Sequence, residues 1–470
     1  MENNKKKNMN KKPFEGWKIA VIVLSLIVVI GAIILVLFLF VFNKNKNNST
    51  TSDESVSSEV SSTSEPPIEK IYVEVYSEIM SQISANLGFG QVIPKTNIFI
   101  NSNGDKMAVG NPYSQTLNPG GNPFLGIIYI YEKNPVDGVW KKNESLTINF
   151  SQTNFFYMGN SISSNDDLSI ISIGFYSPPL GLTIYAVFNK SENIYKPFFI
   201  FQGFQLNLSI SVYSSSNPNN RVVSYSGLVV LPQFNGGFIN NTINSNNSIT
   251  NFFSIENPNL FGPFVGSFFT GGGGPDSNYL AFGFGGNLNE PTSLNLYLKD
   301  NSSPGFWNEL PQFKNSFTLR DYFSMNQKKL PKNFLAICGK MNNDESKGAL
   351  IIYNIDDQVT IPFTYLYNRG SVTKTNDNIN PVIVGMSSCS FNGDATKIVL
   401  GTVTNILQIL EFSKSNQTIN AIQTIIESSN MKMGISSYFS ANSDVFACTY
   451  IKVTGTTLNE YGIKIYEKEK

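Results

Sequence analysis

The sequence predicts an all-β protein: a seven-bladed β-propeller preceded by one transmembrane helix and a disordered stalk. Three observations lead to this prediction. A degenerate pattern of turn, apolar strand, loop and second apolar strand recurs seven times between about residue 86 and residue 470. An uncharged apolar segment and a Ser/Thr-rich segment precede it. A unit of this kind cannot bury its own faces and must stack on its neighbours, so the repeat determines the architecture.

The first copy of the repeat is the clearest. It contains LGFG at Leu87–Gly90, NGDKMAVGNP at Asn103–Pro112, GIIYIYE at Gly126–Glu132 and then Trp140. Gly and Asn tolerate positive φ and mark turns, whereas alternating Val, Ile, Tyr and Phe mark half-buried strands. The turns before the second strands begin at Asn103, Asp166, Asn219, Asp276, Pro331, Asn392 and Asn442. The third strands are predicted at Gly126–Glu132, Gly181–Phe188, Gly227–Phe234, Thr292–Lys299, Gly348–Ile355, Asn405–Phe412 and Tyr461–Lys468.

The alternative to a repeat is a generic antiparallel sandwich. Copies one, six and seven agree in turn, strand and ending, which favours the repeat. Blades around an axis also protect most sheet edges, and this is how an all-β protein of this length avoids edge-to-edge pairing.

The two ends of the chain are predicted to close the ring. The last copy reaches Lys470 directly after its third strand and has no fourth strand of its own. Lys70–Ile79 is an alternating apolar segment with no partner in its own unit. We therefore expect residues 69–79 to form a closing strand beside Gly462–Tyr466, as the outer strand of the seventh blade.

The first copy resembles the FG-GAP repeat of integrin-type propellers. Phe89-Gly90 is followed about twenty residues later by Gly110-Asn111-Pro112, with Asn111 in the place of Ala, and Gly126–Tyr131 and Trp140 match the ending of simple FG-GAP proteins. The resemblance is partial in copies four, six and seven and weak in the others. A WD-repeat propeller is the alternative, but the chain lacks a Trp-Asp ending and has no histidine.

Many FG-GAP repeats carry a calcium loop, and calcium needs several hard oxygen ligands, mostly carboxylates. The ligand positions here are Phe99, Asn101, Asn103 and Met107 in one copy and Ser388, Ser390, Asn392 and Thr396 in another. These side chains include no carboxylate, so we predict no metal site. Asp105 and Asp394 are predicted to cap their own turns.

A membrane anchor is predicted at Ile19–Phe42. These residues form about 24 uncharged positions, more than the roughly 20 needed to cross a hydrocarbon core. A cleaved signal peptide is the alternative, but its apolar region is shorter, about 7–15 residues, and small residues follow it. Lysines are more numerous before the segment than after it, which places the N-terminus in the cytoplasm and the C-terminal part outside, a type II topology.

The domain boundaries follow from these segments. Residues 1–18 form a basic cytoplasmic tail, 19–42 a signal-anchor helix, 43–68 a Ser/Thr-rich disordered stalk, and 69–470 the propeller. The stalk lacks aromatic residues and cannot bury enough apolar surface to offset the entropy of ordering.

Composition argues against several kinds of chemistry. Net charge is zero and 14% of residues are charged, so we predict no nucleic-acid partner. The absence of histidine removes the Ser-His-Asp and Cys-His triads and His-ligated metals, and we predict no cofactor and no catalytic residue. Cys338, Cys389 and Cys448 are interpreted as buried free thiols, with a single bridge between blades as the alternative.

Two enzymatic interpretations are weaker alternatives. The chain has three arginines, Arg221, Arg320 and Arg369, as a sialidase requires, but it lacks the Asp-box. Asp166-Asp167 and Asp356-Asp357 resemble the paired carboxylates of a glycosidase, but both pairs are interpreted as turn residues. The glycine-rich segment Thr270–Asn278 is predicted to be a hairpin tip, because no helix follows it to form a phosphate site.

Ten Asn-x-Ser/Thr sequons occur, and chance gives about ten in a chain so rich in Asn, Ser and Thr, so their number decides nothing. They are Asn47, Asn48, Asn143, Asn149, Asn189, Asn207, Asn240, Asn246, Asn301 and Asn416.

The function most consistent with these features is recognition or adhesion, through a protein or glycan ligand, at the surface of a cell or an enveloped particle. Propellers bind partners through loops on one rim or at the central channel. The long loops are predicted at Asn111–Leu125, Phe234–Thr250 and Tyr367–Asn380. Two alternatives are a structural membrane or virion protein that binds copies of itself and a divergent propeller glycosidase. The sequence does not determine the oligomeric state.

Overall fold

A computed structural model gives the fold of this chain. It describes residues 71–470 except for 87–96, 115–123, 150–155, 178–181, 205–210, 215–220, 228–236, 244–248, 257–269, 274–278, 285–292, 300–306, 310–316, 326–327, 329, 342–346, 367–387, 403 and 455–456.

One compact unit spans Glu69–Lys470. The predicted tail (1–18), anchor helix (Ile19–Phe42) and stalk (43–68) lie outside the described residues. Within the described part of the chain, no helix has both the length and the apolar character needed to cross a membrane.

The described residues form 28 strands and one short 3-10 helix, Glu144–Leu146. The strands that precede residue 244 are β1 (Tyr72–Asn86), β2 (Ile98–Ile100), β3 (Lys106–Asn111), β4 (Ile127–Lys133), β5 (Trp140–Lys142), β6 (Phe156–Ser164), β7 (Ile170–Ser177), β8 (Leu182–Ser191), β9 (Ile194–Phe204), β10 (Ser211–Ser214), β11 (Arg221–Gly227) and β12 (Gly237–Ile243).

The remaining strands are β13 (Ile249–Glu256), β14 (Thr270–Gly273), β15 (Tyr279–Phe284), β16 (Ser293–Lys299), β17 (Trp307–Glu309), β18 (Phe317–Met325), β19 (Phe334–Met341), β20 (Lys347–Asn354), β21 (Val359–Leu366), β22 (Ser388–Phe391), β23 (Lys397–Gly401), β24 (Ile406–Ser413), β25 (Thr418–Ile426), β26 (Met431–Phe439), β27 (Val445–Thr454) and β28 (Thr457–Lys468).

These strands form seven four-stranded antiparallel sheets. Six sheets take four consecutive strands each, β2–β5, β6–β9, β10–β13, β14–β17, β18–β21 and β22–β25, and the seventh has the order β1-β28-β27-β26. The first strand of each sheet contacts the first strand of the next sheet. The contacts run from β2 to β6, β10, β14, β18, β22 and β26, and β26 contacts β2, so the ring is closed. The chain is therefore an all-β propeller, as the sequence predicts.

The closing strand pairs where the sequence places it. Strand β1 lies antiparallel to β28, with Glu74 opposite Tyr466 and Ile79 opposite Gly462. It is longer than the predicted 69–79, since it continues to Asn86, and three register shifts interrupt the pairing. Bulges increase the local twist of an edge strand, and this discourages pairing with another chain.

Hydrophobic clusters lie between neighbouring sheets. One joins the seventh sheet to the first through residues such as Tyr461 and Tyr131, and another joins the first to the second through Ile130 and Ile171. Two more join the fifth sheet to the sixth and the sixth to the seventh. Because each of these four cores is shared between sheets, the sheets that contribute to it stabilise one another.

The propeller has two faces, which we name by where the chain enters. The entry face contains the start of β1 at Tyr72, the turn between β2 and β3, the hairpin tip Asn134–Val139 and the end of β28 at Lys468. The far face contains the opposite ends of the same strands, including Asn111, Ile127 and Thr457.

Turns on the entry face are hydrogen-bonded from sheet to sheet. The backbone N–H of Lys328 donates to Gly393 at 2.9 Å, that of Gly393 to Ala441 at 3.1 Å, and that of Asn442 to Ser102 at 3.2 Å. Ser102 N–H in turn donates to a carboxylate oxygen of Asp166 at 2.6 Å. This chain of bonds links the fifth, sixth, seventh, first and second sheets and satisfies turn N–H groups that have no ladder partner.

Glycines allow close approach between sheets near the far face. A Cβ on Gly110 would lie 1.9 Å from the carbonyl oxygen of Gly159, and a Cβ on Gly401 would lie 2.3 Å from that of Gly434. Gly159 and Gly434 both have positive φ, which glycine adopts without strain. The glycine that ends the second strand of the repeat is therefore an inter-sheet contact.

Three sequence predictions require correction or lie outside the description. The third strand predicted at Gly227–Phe234 is wrong, because β12 occupies Gly237–Ile243; Pro232 has no N–H for a central ladder. The strand before the Asn103 turn is β2, whereas Leu87–Gly90 lies outside the described residues. Thr270–Gly273 is strand β14, the first of its sheet, and not a hairpin tip.

The close approach at Gly110 gives a stability prediction. We expect Gly110→Ala to lower the free energy of unfolding by about 3 kcal/mol or more, because the Gly159 backbone must move. Gly138→Ala is the control: its Cβ would meet only Lys133 Cε at 3.7 Å, so positive φ alone costs about 1 kcal/mol. Denaturant unfolding followed by tryptophan fluorescence measures both; equal losses would contradict the proposed role of Gly110.

Candidate functional site

Two of the three predicted rim loops, Asn111–Leu125 and Phe234–Thr250, are partly described. Asn111–Leu125 leaves β3 on the far face, and its ends are anchored: Tyr113 is 3% and Phe124 5% exposed, and their rings meet edge to face at 5.8 Å. Gly126 N–H donates to the Ser114 carbonyl oxygen at 2.9 Å. Both ends of this predicted loop are therefore anchored, and its middle, 115–123, lies outside the described residues.

The other two loops have different outcomes. Phe234–Thr250 is wrong as a loop, because it contains β12 and the beginning of β13. Polar residues in FINNTI hide the alternation that marks a strand. Tyr367–Asn380 lies outside the described residues, but it follows Leu366, where β21 ends on the far face.

Asn111, at the end of β3, binds the closing strand. The side chain is fully buried, and its Nδ2 donates to the Met80 carbonyl oxygen at 3.1 Å and to Ser81 Oγ at 2.9 Å. Its Oδ1 accepts from Tyr113 N–H at 3.3 Å. Asn111 thus connects the first sheet to the closing strand, which an alanine cannot do.

A network of charged side chains joins the seventh sheet to the first. Glu78 on β1 accepts hydrogen bonds from Lys142 Nζ at 2.9 Å, Tyr76 Oη at 2.7 Å and Tyr131 Oη at 2.9 Å. Burial raises the pKa of Glu78, but these three donors outweigh it and hold the pKa below its ordinary value of 4.5.

Glu467 on β28 makes the second contact of this network. Its carboxylate accepts from Lys133 Nζ at 2.7 Å and from the indole Nε1 of Trp140 at 2.8 Å. Trp140 is 2% exposed, so its N–H needs a partner. The Trp that ends the first copy of the repeat thus binds the last strand of the chain.

The closing strand also binds the sixth sheet. Lys464 Nζ lies 2.8 Å from a carboxylate oxygen of Glu74 and 2.5 Å from one of Glu427. The side-chain amide of Gln423 pairs with both the N–H and the carbonyl oxygen of Tyr72, at 2.8 Å each. Strand β1 is therefore bound to the sheets on both of its sides.

A charged pocket of about 550 Å³ lies on the entry face of the first sheet. Its lining is Asp105, Lys106, Glu132, Lys133, Asn134, Pro135, Lys141, Lys142, Asn143 and Glu144. Three of these, Lys106, Glu132 and Lys141, lie opposite one another on adjacent strands and so share one face of the sheet.

The charged side chains of this pocket differ in how many polar partners they have. Glu132 accepts from Asn143 Nδ2 at 2.8 Å, and Lys141 lies 3.7 Å from Asp137 with both side chains largely exposed. Lys106 forms no ion pair within 4 Å among the residues that the structure describes. The pocket offers both donors and acceptors, and sequence reasoning missed it. The available signal was the charged residues at the start of β3 and at the ends of β4 and β5.

The positions that correspond to calcium ligands serve the backbone instead. Asn101 Oδ1 accepts from the N–H groups of Asp105 and Lys106, both at 3.0 Å, and Asn392 Oδ1 accepts from those of Thr396 and Lys397, both at 2.9 Å. Within the described residues no group of three or more Cys, Asp or Glu side chains is placed to hold a metal.

The predicted capping role is confirmed for Asp394, whereas the Asp105 carboxylate binds a side chain of its turn and no backbone N–H among the described residues. Asp394 accepts from Thr396 Oγ1 at 2.6 Å and from Thr396 N–H at 3.3 Å within its own turn. Asp105 accepts from Asn101 Nδ2 at 2.6 Å. The main cap in each turn is the preceding asparagine, Asn101 or Asn392. From the sequence alone, these asparagines are recognised only as positions that correspond to calcium ligands.

Both aspartate pairs are turn residues, as predicted. Asp166 accepts from Ser102 N–H at 2.6 Å and Asp167 from Ser169 N–H at 2.9 Å. Asp356 accepts from Asn333 N–H at 2.6 Å, and Asp357 from Asn354 Nδ2 at 2.9 Å. Arg221 begins strand β11, and its side chain lies outside the description.

The three cysteines are buried thiols and none forms a disulfide, as predicted. Cys338 lies on β19, Cys389 on β22 and Cys448 on β27. Burial raises the pKa of the Cys448 thiol to about 12. It is therefore protonated near neutral pH and unreactive as a nucleophile.

Neither a protein-family model nor a curated protein sequence matches the chain. Among solved structures, a Lactobacillus plantarum protein aligns with a TM-score of 0.49 and 10% identity over 76% of this chain and 94% of that one. The WD40 repeats of RRP9 give 0.48 and 9% over 82% and 99%. The periplasmic gluconolactonase of Pseudomonas aeruginosa gives 0.45 and 9% over 71% and 90%.

The Glu78 network gives a matched pair of variants. We expect Glu78→Gln to lower the free energy of unfolding by about 1–3 kcal/mol, since a charged acceptor shared by three donors is lost. Glu144→Gln is the control, because Glu144 contacts the same Lys142 at 3.2 Å but is 73% exposed; it should cost less than about 1 kcal/mol.

The same measurement at low pH separates charge from packing. Because the folded pKa of Glu78 is depressed, its contribution is present above its ordinary value of 4.5 and is lost as the pH falls through the folded pKa. The difference in free energy of unfolding between Glu78→Gln and the unsubstituted protein should therefore become smaller below about pH 4.5. If this difference in free energy of unfolding stays constant down to about pH 2, the charge of the carboxylate does not contribute to stability.

Proposed function

We propose that this chain is a single-pass type II membrane protein that displays its propeller for protein or glycan recognition, without catalysis. The uncharged segment Ile19–Phe42 and the lysines before it, from Lys5 to Lys18, support the anchor and its orientation. In this topology the propeller is extracytoplasmic, at a cell surface or on a viral envelope.

We also propose that the seven sheets are the seven blades of one FG-GAP-like ring. The close approach of Gly110 to Gly159, repeated by Gly401 and Gly434, supports this kinship, because it explains why glycine recurs at the end of the second strand. The calcium function of that family does not carry over, since asparagines cap the equivalent turns.

The observation that carries the recognition proposal is the separation of the two faces. The chain enters at Tyr72 and ends after Lys468 on the entry face. Asn111–Leu125 leaves β3 on the far face, and 367–387 follows β21 there. The far face lies opposite the point at which the chain enters the propeller, so we assign ligand binding to the far-face loops.

A loop exchange on the full chain tests this proposal. Residues 115–123 are replaced by Gly and Ser at equal length, which keeps the buried anchors Tyr113, Ser114 and Phe124. The control replaces the exposed tip 135–137 on the entry face in the same way. Each protein is expressed on cells, and their adhesion to cells of the organism that the protein comes from is measured. We expect adhesion to fall about tenfold or more for the far-face variant only, which is the effect of losing a binding hot spot.

Protease treatment of the same intact cells tests the topology. The type II arrangement predicts that an epitope appended after Lys470 is removed while an N-terminal epitope is protected. Equal adhesion of both loop variants would refute the far-face assignment. A protected C-terminal epitope would refute the topology itself.

A further inference from the structure

The structure distinguishes among sequons that the sequence alone treats equally. Three of them have all their side chains in the described part of the chain: Asn143-Glu144-Ser145, Asn189-Lys190-Ser191 and Asn416-Gln417-Thr418. An acceptor asparagine must present a free side-chain amide on an accessible loop. The three differ in both respects.

The first two amides are engaged or enclosed. Asn143 Nδ2 donates to Glu132 at 2.8 Å, and Asn143 Oδ1 accepts from Ser145 Oγ at 2.8 Å. Asn189 lies in β8, paired on one side with Ile170 and on the other with Lys196, and its Oδ1 is buried. An oligosaccharide on either side chain would have to displace these contacts.

Asn416 meets both requirements. It lies in the turn that joins β24 to β25, and Asn416, Gln417 and Thr418 are all exposed. Its backbone N–H contacts Ser413 Oγ at 3.4 Å, but its side-chain amide makes no hydrogen bond among the described residues. Gln417 has a φ of 53°, in the left-handed region that is typical of tight turns.

We propose that Asn416 carries an N-linked oligosaccharide. This inference rests on the extracytoplasmic position in the proposed function. The donor is a lipid-diphosphate-linked oligosaccharide, and its transfer is catalysed by the glycosylation enzyme of the secretory pathway. A bond forms between Asn416 Nδ2 and the anomeric carbon, the bond from that carbon to the diphosphate oxygen breaks, the lipid diphosphate leaves and the amide loses one proton.

The position of Asn416 gives the modification a consequence for recognition. Strand β24 runs from the far face to the entry face, so the β24–β25 turn lies on the entry face. A bulky, hydrated oligosaccharide at that turn covers part of the entry face and leaves the far-face loops free. The glycan thus limits recognition to the face that we assign to the ligand.

The test uses the full chain with one appended Asn-Ser-Thr acceptor after Lys470, synthesised with microsomes that carry the glycosylation enzyme. Peptide mass spectrometry on the folded, protease-resistant fraction reports the occupancy of each sequon. We expect Asn416 to be occupied and Asn143 and Asn189 to be empty. Thr418→Ala should abolish the modification of Asn416, and Thr418→Ser, which keeps the sequon, should restore it.

The appended acceptor separates two ways of failing. If it is modified while Asn416 is empty, the glycan inference is overturned and the topology stands. If it is unmodified, the topology and the glycan are overturned together. Occupancy of Asn189 equal to that of Asn416 would also overturn the inference, because accessibility in the folded propeller would then not decide the site.

Discussion

The antiparallel pairing of β1 with β28 is the interaction on which the rest of the structure depends. It supplies the fourth strand of the seventh sheet from the other end of the chain. It also brings Glu78 to the first sheet and the backbone of Tyr72 to Gln423 of the sixth, so one strand is bound to both neighbouring sheets. Since every described hydrophobic cluster is shared by two sheets, a ring left open at this point loses two packed faces.

The repeat is degenerate in its side chains because its constraints act mostly on the backbone. Entry-face turns donate to the neighbouring turns, and this requires an asparagine or serine cap more than any particular strand residue. Near the far face, Gly110 and Gly401 permit approach that any side chain would prevent. These constraints do not act on the loops, and the loops are the part of the molecule that we assign to recognition.

Sequence reasoning reached the architecture and not the contacts that hold it. Alternation located most of the second strands and β28, and the missing last strand located β1. It failed at Gly237–Ile243, where polar residues conceal the period, and at Thr270–Gly273, where glycines have no period to show. The charged pocket around Lys106 and Lys141 was also missed, because its residues meet only through strand register, and register is a tertiary property.

Hydrogen exchange of the full chain tests the closed ring most directly. If β1 closes the ring, the amides of Tyr72–Asn86 that face β28 and the amides of Thr457–Lys468 exchange only when the whole propeller unfolds, with equal free energies of opening. If the amides of β1 exchange at the rate of an unstructured segment while those of β27 and β28 stay protected, β1 is a peripheral attachment and the ring does not depend on it.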